Sequence, residues 1–223
     1  LYHVLDTANQ VRTQTKTQLA LANYYFYIDT DSARKYYAQF IHLNKNETEN
    51  AQAISKIGVC FAFDSKFDSA LFYMNQALET FSAENDSLNV AFSLNSIGLV
   101  NINTDNYEQQ IKSLIKAVAY KEKLAHKYTP QQLSLAGTFL NIGIGFHALG
   151  HYDKALEYYQ KSKANYILED SVAGQNNVLF QIAAICFDTN KLDEAEKLYQ
   201  QLTEDEQFAK NPYVAVKLYN NYG

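Results

Sequence analysis

Apolar residues recur along this chain at helical spacing, in stretches separated by short polar turns. Two kinds of stretch alternate. One carries a small residue near its middle. The other follows a turn, opens with an acid and places a second small residue twelve positions after the first. The pairs read Leu21 and Ala33, Gly58 and Ala70, Gly98 and Gln110, Gly143 and Ala155, Ala183 and Ala195, and Gly223 starts another. The first members lie 37, 40, 45, 40 and 40 residues apart. A period in this range predicts an all-α, right-handed α-α superhelix, a solenoid of antiparallel helix pairs.

The pattern predicts first helices (A) near 11–27, 48–63, 88–103, 131–148 and 173–188, and second helices (B) near 31–44, 67–82, 107–127, 152–168 and 192–204. Repeats then fall near 11–47, 48–87, 88–130, 131–172 and 173–211, with a partial sixth at 212–223 and a leftover B helix at 1–9. All of 1–223 reads as one array, because solenoid length follows repeat number. Ser65, Asp105, Gly150 and Asn190 sit at equivalent A-to-B turns. Gly, Asn and Asp there tolerate the left-handed backbone that ends a helix. Asp31, Asp68, Glu108, Asp153 and Asp193 then meet the positive end of each B-helix dipole, worth about 0.3–1 kcal/mol apiece. Thr129-Pro130 and Asn211-Pro212 each read as an N-cap before a first-turn proline. The small residues let helices A and B cross closely, and aromatic side chains such as Tyr37, Phe61, Phe67, Phe146, Tyr152, Tyr159 and Tyr199 fill the space around them.

Composition narrows the function. Only 2 prolines and 8 glycines interrupt 223 residues, which favours long helices. The net charge of −5, with signs interspersed, argues against a nucleic-acid scaffold, which needs a basic stripe. Cys60 and Cys186 fall in apolar helical stretches far apart in the array and read as two buried free thiols. No apolar run is long enough to span a bilayer, and no signal-peptide pattern is present. The chain starts at Leu1 without a methionine and stops partway through a repeat, so it reads as an excised fragment, compatible with a periplasmic sensor region or with the cytoplasm.

These residues resemble the tetratricopeptide repeat. The fourth copy carries Asn141-Ile142-Gly143, Phe146, Gly150, Tyr152, Ala155 and Tyr159; the second carries Ile57-Gly58, Phe61, Phe67, Ala70, Met74 and Ala77-Leu78. The third departs at Asn101 and Gln110, the first at Leu21 and Thr30. The copies exceed the usual 34 residues of the family, which is similar to the long-helix repeats of bacterial signalling proteins. Asp68-Ser69-Ala70-Leu71-Phe72-Tyr73, echoed by Asp31-Ser32-Ala33-Arg34-Lys35-Tyr36, is similar to sensor regions of Bacteroidetes-type transcription regulators and sensor kinases.

Catalytic patterns are missing. Gly143 to Ala148 fits the letters G-x-G-x-x-A of a dinucleotide loop, but both glycines lie inside a helix with no strand before them. His147 and His151 have the spacing of two metal ligands on one helical face, yet Gly150 ends the helix between them and no further ligand is placed nearby. No Ser-His-Asp set or phosphate-binding loop is present. The expectation is therefore a non-enzyme with no cofactor and no metal.

The resemblance implies that the A helices line a concave groove at fixed offsets from the mid-helix small residue. Carried onto this chain, the partner-binding candidates are Gln18, Tyr25, Phe26, Ser55, Phe63, Asn95, Asn103, Leu140, His147, Phe180, Phe187 and Asp188, with Lys217 and Asn220 at the far end. Lys217 is their sole cation, so the family's clamp for chaperone carboxylates is not expected. Amides beside aromatic rings suit a peptide or protein segment without strong charge preference. Phe63, Phe180 and Phe187 could equally pack between neighbouring A helices. The reading is a non-catalytic protein- or peptide-binding module of a larger bacterial signalling or transcription-regulatory protein; the alternatives are a stand-alone assembly scaffold or a small-molecule-binding solenoid.

Overall fold

A computed structural model describes the backbone of residues 2–204 and the side chains of residues 9–204. Every regular element among them is helical: α1 (Tyr2–Tyr25), α2 (Thr30–Leu43), α3 (Glu47–Phe63), α4 (Phe67–Ala83), α5 (Ser87–Asn103), α6 (Tyr107–Leu124), α7 (Pro130–Leu133), α8 (Leu135–Ala148), α9 (Tyr152–Leu168), α10 (Val172–Asp188) and α11 (Leu192–Thr203). The all-α reading and most boundaries hold. The segment 212–223, with Lys217, Asn220 and the Asn211-Pro212 cap, lies outside the described residues.

Two expectations are corrected. Residues 1–9 are not a separate helix: α1 runs unbroken from Tyr2 to Tyr25, since no glycine, proline or cap interrupts it. The helix expected at 131–148 is broken at Ser134, whose backbone is left-handed (φ 51°, ψ 48°).

The capping logic holds in detail. Ser65, Asp105, Gly150 and Asn190 all have φ between 55° and 74°. After each, an amide reaches back to the final helical turn: Lys66 to Phe61 O, Asn106 to Asn101 O, His151 to Phe146 O at 2.9 Å and Lys191 to Cys186 O at 2.8 Å. That 6→1 bond is the Schellman closure. Asn85 and Asp170 repeat the geometry at B-to-A turns, with Asp86 N–H bonded to Phe81 O and Ser171 N–H to Tyr166 O at 2.9 Å. Asp29, Asn46, Asp86 and Ser171 cap α2, α3, α5 and α10. Thr129 and Gln132 form a reciprocal capping box on α7.

The chain divides into two compact units, Leu1–Tyr120 and Lys121–Gly223. In the first, α1 packs on α2, α3 on α2 and α4, and α5 on α4. Its core joins Ala22, Phe26, Ala33, Tyr37 and Phe40 to Ile57 and Cys60. The enclosed small residue of α1 is Ala22, one position beyond Leu21, so the register there differs by one from that read in the sequence. A Cβ on Gly58 would stand 2.9 Å from Met74 Cγ, and one on Gly98 would stand 2.6 Å from Leu114, so these crossings are closed to larger residues.

In the second unit α9 packs on α8 and α10, and α11 on α10. Ala155, Tyr159, Val178 and Ile185 form one cluster; Ala183, Tyr199 and Leu202 belong to another. A Cβ on Gly143 would enter the ring of Tyr159. The last turn of α6 brings Lys121 into this unit at 1% exposure, its Nζ donating to Thr138 Oγ1 at 2.6 Å and Ser134 O at 3.3 Å. Both thiols, Cys60 and Cys186, are free and buried, and burial pushes the Cys60 thiol up to about 11.

Tyr37 and Tyr159 occupy equivalent B-helix positions, both nearly inaccessible. Tyr37 donates its hydroxyl to Asn23 Oδ1 at 2.8 Å, whereas the Tyr159 hydroxyl is enclosed without a partner. Tyr37→Phe should therefore cost roughly 1 kcal/mol while Tyr159→Phe is neutral or stabilising, as read by urea unfolding. Burial lowers Lys121 from 10.5 to about 8, opposed by Glu169. Below pH 8 folded and unfolded chains are both protonated there and the burial penalty is fully present. Above pH 8 the folded chain gives up the proton first, so stability should rise by up to about 3 kcal/mol toward pH 10.5. Cys60, pushed up to about 11 by burial, acts oppositely above pH 9, and Tyr37, pushed up to about 12, does so above pH 10. The comparison is thus between pH 8 and 9, against Lys121→Met, in which this rise should vanish.

Candidate functional site

In the first unit, α1 and α2 leave an open groove of about 600 Å³ lined by Gln14, Gln18, Ala38, Gln39, His42 and Leu43. Its polar groups are three carboxamides and one imidazole; among the described residues no carboxylate, ammonium or guanidinium lines it. Gln18 Oε1 is enclosed and accepts no hydrogen bond. An enclosed carbonyl oxygen left unpaired costs about 1–3 kcal/mol, which an N–H donor would relieve once the Gln18 side chain rotates into the groove.

The other first-unit candidates sort by exposure. Phe26 is 4% exposed, in contact with Tyr37 and Phe63, and Lys56 Nζ stands 4.6 Å from its ring centroid. Packed against Tyr37 and Phe63, Phe26 belongs to the core and is closed to a guest. Tyr25 is half-buried, stacked on Tyr36 with centroids 5.6 Å apart. Ser55 and Asn95 are half-buried; Asn103 is exposed and donates Nδ2–H to Leu99 O within its own helix. Phe63 stays 54% exposed and, with Tyr24, Tyr27 and Ile28, forms an apolar rim beside the α1–α2 turn. That rim was missed in the sequence reading. The run Tyr24-Tyr25-Phe26-Tyr27-Ile28 signals it, because five consecutive large residues cannot all face inward. Beside the rim Arg34 joins Asp31 and Asp64 and stacks on Phe61. Asp64 is lowered by the Thr30 hydroxyl and by Arg34.

In the second unit, His147 Nε2 lies 2.8 Å from Asp188 Oδ2, joining α8 to α10 across one repeat. Both residues were candidates; their pairing was not foreseen, since it depends on how α10 sits beside α8. The His147 ring also meets Tyr152 edge-on at 5.7 Å, while His151 packs on Phe146, so the two histidines face different surroundings. Among the described residues no three His, Cys, Asp or Glu side chains gather as a metal site. Leu140 is half-buried against the Tyr159 cluster, and Phe187 is 38% exposed. Phe180 is 3% exposed and packs on Tyr199 at 6.0 Å, so it is core. Of the two places the phenylalanines could take, Phe180 takes the inner one, and Phe63 and Phe187 the outer.

Residues 134–205 match the family model described as Tetratricopeptide repeat. No curated protein matches the chain. Among solved structures, the chain is similar to aspartyl phosphate phosphatase F from Bacillus subtilis (TM-score 0.74, 18% identity, 93% of this chain and 54% of that one). It is also similar to a Rap protein complexed with Competence and Sporulation Factor (TM-score 0.71, 16% identity, 92% and 57%). A third is MamA from Desulfovibrio magneticus RS-1 (TM-score 0.67, 13% identity, 89% and 97%). The chain thus spans little more than half the length of the first two. At these identities the likeness establishes the fold, a tetratricopeptide-like helical repeat. No helix of the described residues is long and apolar enough to cross a membrane.

Exposure separates the candidates experimentally. Phe26→Ala and Phe180→Ala should each lower stability by about 3–5 kcal/mol through cavity formation, while Phe63→Ala and Asn103→Ala should stay within about 1 kcal/mol of wild type in chemical denaturation.

Proposed function

We propose that this chain is a non-catalytic binding module whose partner is an uncharged polypeptide segment. The observation that carries the reading is the α1–α2 groove, lined by Gln14, Gln18, Gln39 and His42, in which Gln18 Oε1 is enclosed with its acceptor capacity unused. Carboxamides both donate and accept, so they match the alternating N–H and C=O groups of an extended backbone. The absence of charged lining groups removes any demand for a carboxylate tail or a basic peptide. Exposed Phe63, Tyr27 and Tyr24 lie in the same unit and supply apolar area for side chains of a partner. The complex of a Rap protein with Competence and Sporulation Factor shows that a related fold accommodates a partner.

We further assign the module to the sensor or interaction part of a larger bacterial signalling or transcription-regulatory protein. The resemblance carried by Asp68 to Tyr73 and by Asp31 to Tyr36 supports this, as does the similarity to a Bacillus subtilis phosphatase. The alternative, a stand-alone scaffold, differs in what the same gene encodes beside it: a kinase or DNA-binding module favours the sensor.

The groove is tested by selecting random displayed peptides on the purified chain. Wild type should enrich peptides lacking a charge consensus. The combined Gln14→Ala, Gln18→Ala and Gln39→Ala variant should bind them roughly tenfold or more weakly, a loss of about 1.4 kcal/mol or more, with melting little changed. Selection of nothing, or undiminished binding by the variant, would remove the groove from the reading.

A further inference from the structure

One joint in the second unit is built unlike its counterparts. Successive B helices place Asn44, Phe81, Lys121 and Tyr166 at the same point of the repeat, where helix B meets the start of the following A helix. Phe81 fills that point with a ring among Val90 and Leu94. Tyr166 lies so close to Gly174 that any side chain there would enter its ring. Lys121 instead brings an amine into a place shared with rings elsewhere, and the residue opposite, equivalent to Gly174, is Ser134.

Ser134 is where helix A breaks. The other five non-glycine residues with positive φ, Ser65, Asn85, Asp105, Asp170 and Asn190, all lie at turns after helix ends; Ser134 lies between two helical segments that the sequence reads as one. A left-handed serine inside a helix costs about 1–2 kcal/mol, and although the Ser134 amide still reaches Pro130 O at 2.8 Å and its carbonyl still accepts from the Thr138 amide at 3.3 Å, its surroundings must hold it. Three contacts do so. Lys121 Nζ donates to Ser134 O and to Thr138 Oγ1, and Thr138 Oγ1–H donates to the same Ser134 O at 2.9 Å. The amide of Ala136, freed by the break, lowers the Glu169 carboxyl at the end of α9 against the larger upward push of burial. Ser162 Oγ–H bonds Ala136 O at 2.8 Å. Glu169 Oε1 is enclosed with no hydrogen-bond partner, and burial raises the Glu169 carboxyl, opposed by the Ala136 amide and by Lys121.

We propose that Lys121 is a charge-operated fastening that holds α7 and α8 apart at Ser134, and that neutralising Lys121 lets residues 130–148 run as one continuous helix. Charge-assisted hydrogen bonds are roughly twice as strong as neutral ones, so losing the ammonium weakens both bonds to the break while the strain of Ser134 remains. The proton released passes to solvent. Ionisable groups face this joint from α6 (Lys121) and α9 (Tyr166 and Glu169); α8 presents only Ser134 and Thr138. Burial places the Lys121 proton within reach of mildly alkaline solution, near pH 8. The device bears on binding because α8 carries Leu140 and His147, yet it stands or falls independently of any ligand.

The test uses the full chain, isotopically labelled. The Cα and Cβ chemical shifts of Ser134 should report a left-handed residue at pH 7 and move to helical values with a midpoint at about 8. Lys121→Met should show the helical values already at pH 7, with the amides of Leu135, Ala136 and Gly137 at least tenfold better protected from hydrogen exchange than in wild type. Wild-type titration keeps the test valid should that variant fold poorly. A Ser134 that stays left-handed from pH 7 to 10, or that stays so in a folded Lys121→Met, would overturn the proposal.

Discussion

The close approach of paired helices is the constraint on which each unit depends. At the crossings the backbone of one helix meets the side chain of the other with no room for a second Cβ: Gly58 against Met74, Gly98 against Leu114, Gly143 against Tyr159. Each crossing brings an aromatic or long aliphatic side chain into complete burial. A single helix pair offers too little apolar surface to be stable alone, so neighbouring pairs must share it. Ile57 and Cys60 of α3 complete the core begun by α1 and α2, and Val178 and Ile185 of α10 complete that of α8 and α9.

Once the crossings and their neighbours have consumed the large apolar residues, the remaining surfaces acquire distinct characters. The α1–α2 groove keeps the carboxamides of Gln14, Gln18 and Gln39. The α1–α2 turn keeps more aromatic rings than the core can accept, and they spill onto the rim as Tyr24, Tyr27 and Phe63. The joint at Lys121 replaces a ring with a cation and must then supply acceptors for it, which bends the next helix.

The candidate positions were legible to different depths for a physical reason. Offsets within one helix are fixed by its pitch, so Ser55, Asn95 and Asn103 fall on accessible or half-covered faces as their spacing implies. Phe26 is buried because Tyr37 of α2 and Phe63 of α3 close over it. Phe180 is buried because Tyr199 comes to it from α11, a contact of sequence separation nineteen that no local rule contains. His147 and Asp188 were each named from the pattern, but their hydrogen bond depends on the angle at which α10 passes α8.

By itself the sequence determined the helix pairs, their turns and their caps, because hydrophobic period, left-handed turn residues and first-turn acids act over a few residues and need no partner. It also determined that both cysteines are buried and unpaired. Tertiary structure alone decided which aromatic rings close the core and which remain on the rim, since rings of equal hydrophobicity compete for a fixed volume. It likewise decided that Lys121 is enclosed and that α8 starts anew after Ser134. A lysine reads as a surface residue until the helices around it leave its ammonium nowhere to go except toward a backbone oxygen and a threonine hydroxyl.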